Sequence, residues 1–132
     1  NYSLQNLRDM QKNALLIIDA QYDFCSPKGA LYVQGADKDM ERLAQFIQNN
    51  IFQLNQIFLS IDTHVLNDIA HPSFWEDSHK KHPVPFTQIT SQDIRAGKWK
   101  ARFHAEKSLE YLEKLEKDGK FLHLIWPPHC LI

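Results

Sequence analysis

The 132-residue chain has no surplus of charge of either sign: 15 Lys and Arg stand against 16 Asp and Glu, a formal net charge of −1. Proteins that neutralise phosphates carry a basic excess, so neither nucleic acid nor an anionic membrane surface is supported as a partner. Long hydrophobic runs are missing too. The longest, Ala14 to Ile18 and Phe121 to Trp126, stop far short of the roughly 20 residues that cross a bilayer. Asn1 to Gln11 lack the apolar core of a secretory signal, and a soluble, cytoplasmic protein is expected. Cysteine is scarce: Cys25 and Cys130 allow one disulfide but no disulfide framework. Neither G-x-G-x-x-G nor G-K-[ST] occurs, so the signature of a nucleotide phosphate loop is absent.

What the chain does have is apolar residues, 43% of the total, the content of one globular domain with a sizeable core. After a polar arm, Asn1 to Lys12, the run Ala14 to Ile18 has the length and β-branching of a strand buried on both faces. Asp19 to Gly35 carries turn residues without a helical period and reads as a loop. Met40, Leu43, Ala44, Ile47 and Ile51 then recur at spacings of three and four behind Asp37 and Asp39, which predicts an amphipathic helix over about 37–49.

Ile57 to Ile61 predicts a second buried strand, and Thr63 to Lys100 a long irregular region of the kind that often carries function. Leu109, Leu112 and Leu115 place a second helix within Phe103 to Asp118, stopped at Gly119, and Phe121 to Ile125 reads as a third buried strand. This order predicts an α/β fold, a Rossmann-like parallel sheet flanked by helices. Three strands make half of an ordinary doubly wound sheet, so residues 1–132 read as a single domain, incomplete at the C-terminus and cut short after the third strand.

In open parallel sheets ligands bind beyond the carboxyl ends of the strands. Here those ends are polar: Asp19 after the first, Asp62 and His64 after the second, Trp126 and His129 after the third. Asp62, His64, His71 and His129 offer one carboxylate and three imidazoles, a set that suits zinc, iron or manganese better than magnesium or calcium. Equally, His64 and His71 can be solvated loop histidines and Asp62 a turn cap. Asp19 has the same two readings, turn cap or a carboxylate tuned by a crevice to act as a base. His79 and His82 lie in a polar stretch, and His123 sits within a strand, where packing or a hydrogen bond is the ordinary role. Cys25 and Cys130 read as small buried hydrophobes rather than catalytic thiols.

The combination LLIIDAQYDF, then SIDTH with HPSFW, then IWPPHC resembles the nicotinamidase/pyrazinamidase branch of the isochorismatase-like cysteine hydrolases. The resemblance runs through the chain from about Asn13. It implies hydrolysis of nicotinamide to nicotinate and ammonia by a cysteine, aspartate and lysine triad, assisted by a divalent metal ion, zinc with iron or manganese as alternatives. The family aspartate falls on Asp19 and the metal ligands on Asp62, His64, His71 and His129, with His71 in a loop that departs from the family's wording. Phe24 and Trp126 fall where the family flanks the pyridine ring. The family's lysine and cysteine lie downstream of IWPPHC and therefore beyond Ile132; neither Cys25 nor Cys130 takes that place.

In the mechanism so implied, the cysteine attacks the amide carbon, Asp19 takes its proton and passes one to the departing ammonia, and water cleaves the thioester. The stretch His79 to Lys100 is longer than in compact members, which leaves room for another small amide. Taken alone, the chain would be an inactive metal-binding fragment. A small-molecule amide is the expected partner, with a homo-oligomer as an open alternative.

Overall fold

The computed structural model describes residues 12–117, 119 and 121–132, so all of the predicted N-terminal arm except Lys12, and Asp118 at the end of the second helix, lie outside the described residues. The chain divides into two compact units, one ending at Asp62 and the other running from Thr63 to Ile132. No helix of the described residues is long and apolar enough to cross a membrane.

In the first unit, strands β1 (Ala14–Ile18) and β2 (Gln56–Ser60) pair in parallel, with Ala14 opposite Gln56 and Ile18 opposite Ser60. The crossover between them holds a one-turn helix, α1 (Tyr22–Cys25), and a long one, α2 (Ala36–Asn50). The long helix matches its predicted span to within a residue. It starts at Gly35, whose φ of 90° is open to glycine without steric cost. The Tyr32 hydroxyl accepts from Gly35 N–H (3.0 Å) and donates to Asp37 Oδ1 (2.7 Å), fixing the approach to the first turn. The α1 turn falls in the stretch read as a loop; four residues are too few for a helical period to show.

The expectation that both strands are buried on two faces is corrected. Ile17 is buried, but Leu16, Ile18 and Leu59 are 62%, 68% and 65% exposed. A two-stranded sheet has two faces to cover, and the described residues of this unit cover little of either. Apolar composition expresses a preference for covering layers without supplying them.

The second unit replaces the predicted irregular stretch with short elements. A 3-10 turn (Pro72–Phe74) leads into β3 (Trp75–Glu76), followed by β4 (Gln88–Ile89), α3 (Ser91–Arg95), β5 (Lys100–Ala101), α4 (Ala105–Lys117) and β6 (His123–Leu124). Helix α3 is set by a capping box: Thr90 Oγ1 accepts from Asp93 N–H (3.1 Å) and Asp93 Oδ2 from Thr90 N–H (3.0 Å). Gly119, at φ 64°, sits just past the end of α4 in the left-handed conformation that stops helices. Phe74, Trp75, Ile89, Ala101, Leu112 and Ile125 form the buried core, with Ile69, Ile94, Trp99 and Phe103 packed against it.

The third strand is also corrected. β6 spans two residues and pairs antiparallel with β4, Leu124 opposite Gln88 and His123 opposite Ile89. His123 and Ile125 are buried while Leu124 between them is half-buried, the period of two of a half-buried antiparallel strand. An apolar run specifies burial but not the direction of its partner. Among the described residues, parallel pairing is confined to β1 with β2 and one bridge between His64 and Leu131. The fold is α/β, with small parallel and antiparallel sheets rather than one continuous Rossmann sheet.

His123 is buried against the rings of Trp75 and Tyr111, and its Nε2–H donates to the Ile69 carbonyl (3.0 Å). Burial holds its pKa below the usual 6.5, opposed by that hydrogen bond and by the charge of Asp68. The unfolded chain therefore binds the proton first, and the stability this neutral ring contributes is present above pH 6.5 and lost as pH falls through the lowered folded value. The urea midpoint is expected to drop between pH 7 and 5, and less steeply in His123→Gln. Leu112, with no exposed surface, should cost about 2–5 kcal/mol when cut to alanine. Phe52→Ala, at a fully exposed ring, should leave the same midpoint unchanged.

Candidate metal centre

The site is built on a crossing of two backbone segments. His64 N–H donates to the Cys130 carbonyl (3.0 Å) and Ile132 N–H to the His64 carbonyl (3.1 Å), so the residues after the two prolines run parallel to those around His64. Pro127 and Pro128 cannot donate to a ladder, and the chain enters this segment instead through Trp126 N–H, which donates to the Ala70 carbonyl (2.8 Å). That bond ties the start of the proline segment to the loop from His64 to His71. His71 ends that loop and precedes the 3-10 turn, which opens with Pro72 at a position where no N–H is needed.

Three of the seven histidines of this unit, His64, His71 and His129, come together. Ring centroids lie 5.1 Å apart for His64 and His71, 4.7 Å for His64 and His129, and 5.4 Å for His71 and His129. His71 and His129 are buried. Each Nδ1 faces an oxygen: Asp68 Oδ2 at 3.0 Å from His64, the Val65 carbonyl at 3.1 Å from His71, and the Pro127 carbonyl at 2.7 Å from His129. An imidazole that donates through Nδ1 keeps its lone pair on Nε2, the form that ligates a metal.

The Nε2 of His71 is buried and meets no hydrogen-bond partner among the described residues. An acceptor left so in a protein interior costs about 1–3 kcal/mol, and a cation is the partner its lone pair fits. Asp62 closes the first unit and is joined to His64 through Thr63 alone.

Electrostatics favour the ligating forms. Burial pushes the His71 pKa below 6.5, so the ring is neutral at pH 7. Burial pushes Asp68 upward, but the Ala70 N–H and the His64 ring outweigh it and hold the carboxylate below its ordinary range, as an anion. This cluster of Asp and His side chains can coordinate a divalent cation, and a set of nitrogens with one oxygen fits zinc, iron or manganese.

The remaining predicted residues lie elsewhere on the chain. Asp19 follows β1 at φ 52°, a left-handed conformation unusual for a residue with a side chain. Its Oδ1 accepts from the Ser60 hydroxyl (2.8 Å) and its N–H donates to the Ser60 carbonyl (3.1 Å). Gln21 closes the same end of the first unit: Oε1 accepts from Asp62 N–H (2.7 Å) and Nε2 donates to the Asp62 carbonyl (2.9 Å). Phe24 lies half-buried on α1, and Trp126, 38% exposed, stands edge-on to Phe86. His79 and His82 are exposed, while His123 is a core residue with its hydrogen bond made, as its place in a strand suggested.

Sequence reasoning missed Asp68 and Ser60 and the carbonyls of Val65 and Pro127. Asp68 was findable as a carboxylate four residues after His64; the carbonyls leave no trace in a sequence.

No protein-family model and no curated protein matches the chain. Solved structures do. The fold resembles that of a nicotinamidase. The structure of the yeast nicotinamidase Pnc1p shares 21% identity with a TM-score of 0.53, covering 89% of this chain and 44% of that one. The same enzyme bound to the inhibitor nicotinaldehyde shares 20% identity, also at 0.53, with the same coverage. At this identity the likeness establishes the fold alone, an α/β arrangement. The chain spans less than half the length of the enzyme it matches.

Competition with a chromophoric chelator should show one zinc ion bound per chain. His71→Ala should weaken that binding at least tenfold, and His79→Ala, at an exposed position, should leave it unchanged.

Proposed function

We propose that this chain forms the first part of a metal-dependent hydrolase of small amides, with nicotinamide as the leading substrate and Asp62, His64, His71 and His129 as the metal ligands. The observation that carries the reading is the set of three neighbouring histidines, each donating through Nδ1 and so presenting Nε2, in a chain whose fold resembles a nicotinamidase. A cation held there supplies Lewis-acid attraction for a ring nitrogen or amide oxygen of the substrate.

The chain's own residues supply the rest of what this half of a site needs. Asp19 serves as the base. The Ser60 hydroxyl bonded to Oδ1 restrains the carboxylate, and Oδ2 is the atom assigned to carry the proton. Phe24 and Trp126 are the aromatic walls, which hold a planar ring by burial and stacking. The nucleophilic cysteine and its lysine are assigned to positions downstream of the IWPPHC segment, on the strength of that segment's resemblance alone. Zinc is the proposed ion, and the cytoplasm the proposed location.

A second reading, hydrolysis of a different small amide, is favoured by one feature. The stretch between His79 and Lys100 is not a plain loop but carries β4 and α3. Elaboration of that kind gives room for substrate discrimination beyond a pyridine ring.

The test is ammonia release from nicotinamide by the protein in its full reading frame, with metal content measured alongside. Asp19→Asn is expected to lower kcat on the order of 100-fold or more while zinc content stays the same. Turnover undiminished by the substitution would remove Asp19 from the base's role. Release from another small carboxamide but not from nicotinamide would move the substrate to the second reading.

A further inference from the structure

We infer that Asp68 is the positioning residue of the metal centre, an outer carboxylate that sets the tautomer of His64 and the place of His71 together. The inference rests on the metal reading proposed above and adds a residue that the resemblance does not assign.

Four contacts converge on this one residue. Its Oδ2 faces His64 Nδ1 at 3.0 Å, and its Oδ1 accepts from Ala70 N–H at 2.9 Å. Its carbonyl accepts from His71 N–H at 2.9 Å, and its own N–H donates to the Val65 carbonyl at 3.0 Å. That Val65 carbonyl is also the acceptor for His71 Nδ1, 3.1 Å away. The backbone of Asp68 thus shares an acceptor with one histidine ring while its side chain holds another. Both carboxylate oxygens are engaged, and the side chain is 29% exposed, sheltered enough for its charge to act at short range.

Asp68 differs from the other supports of the site. His71 and His129 donate to neutral backbone carbonyls, whereas His64 donates to a carboxylate. An anion behind an imidazole makes the far nitrogen more basic and fixes the ring's orientation, and such outer partners are worth about 10–100-fold in metal affinity.

The competing explanation is an ordinary Asx turn, since a side-chain oxygen accepting from the N–H two residues on is common in loops. Asp68→Asn separates the two. Asparagine keeps an oxygen for Ala70 N–H and so preserves the turn. Its NH2 group then faces His64 Nδ1, which has to become the acceptor, moving the ring proton onto Nε2 where it blocks ligation.

Zinc affinity by chelator competition, the visible spectrum of the cobalt-loaded chain and the urea midpoint of the metal-free chain decide the matter. For Asp68→Asn the expected result is a 10–100-fold loss of zinc affinity, displaced cobalt bands and an unchanged midpoint. Zinc binding within about threefold of the unaltered chain, while His71→Ala loses it, would overturn the role of Asp68 and leave the metal centre standing. Failure of the unaltered chain to bind zinc would overturn the metal reading and Asp68's role with it. Should the variant not fold, 15N chemical shifts of the zinc-loaded unaltered chain give the same decision. A protonated Nδ1 on His64 supports the inference, and a protonated Nε2 overturns it.

Discussion

Two backbone hydrogen bonds, His64 N–H to the Cys130 carbonyl and Ile132 N–H to the His64 carbonyl, hold together parts of the chain that are far apart in sequence. The pairing places His129 beside His64, and without it the histidines would belong to unrelated loops. Each bond nets only about 0.5–1.5 kcal/mol, so the pairing depends on what braces it. The Ile69 carbonyl accepts from both Trp75 Nε1 and His123 Nε2, and the Ala70 carbonyl from Trp126 N–H. Consecutive carbonyls in the loop before His71 thus lash the core and the proline segment to the ligand loop, and the site inherits its rigidity from Trp75 and its neighbours.

The second constraint is proton placement. Imidazoles whose ring centroids lie 4.7 to 5.4 Å apart disfavour one another's protonated forms, because like charges repel. Burial favours the neutral form at His71, and an oxygen opposite each Nδ1 decides which nitrogen keeps the proton. Asp68 adds an anion behind the His64 ring, on the side away from Nε2. Preorganisation of this kind means little is left to order when a ligand arrives.

Much of this was legible in the sequence, and the gaps have physical causes. Helix α2 was readable because its apolar period and acidic first turn extend over four turns, and α4 because its leucines end at a glycine. β1 and β2 were readable as strands, but their burial was not, since an apolar residue records a tendency that only neighbours can fulfil. The direction of β6 was unreadable because hydrophobicity carries no polarity; the alternation of His123, Leu124 and Ile125 held the clue. Asp62, His64, His71 and His129 could be named as candidates from residue type and order, and the structure brings the three histidine rings together. Asp68 was passed over as one more polar loop residue, and the carbonyls of Val65 and Pro127 are invisible at the level of side-chain identity.

The uncovered sheet of the first unit has a practical consequence for the second. Leu16, Ile18, Phe58 and Leu59 present apolar surface on paired strands that no third strand joins among the described residues, an arrangement open to strand addition. Strand addition between molecules grows with concentration, whereas filling of a metal site does not require it. Association between molecules would thus draw on residues 14–18 and 56–60, and metal binding, as proposed, on residues 62–71 and 126–132.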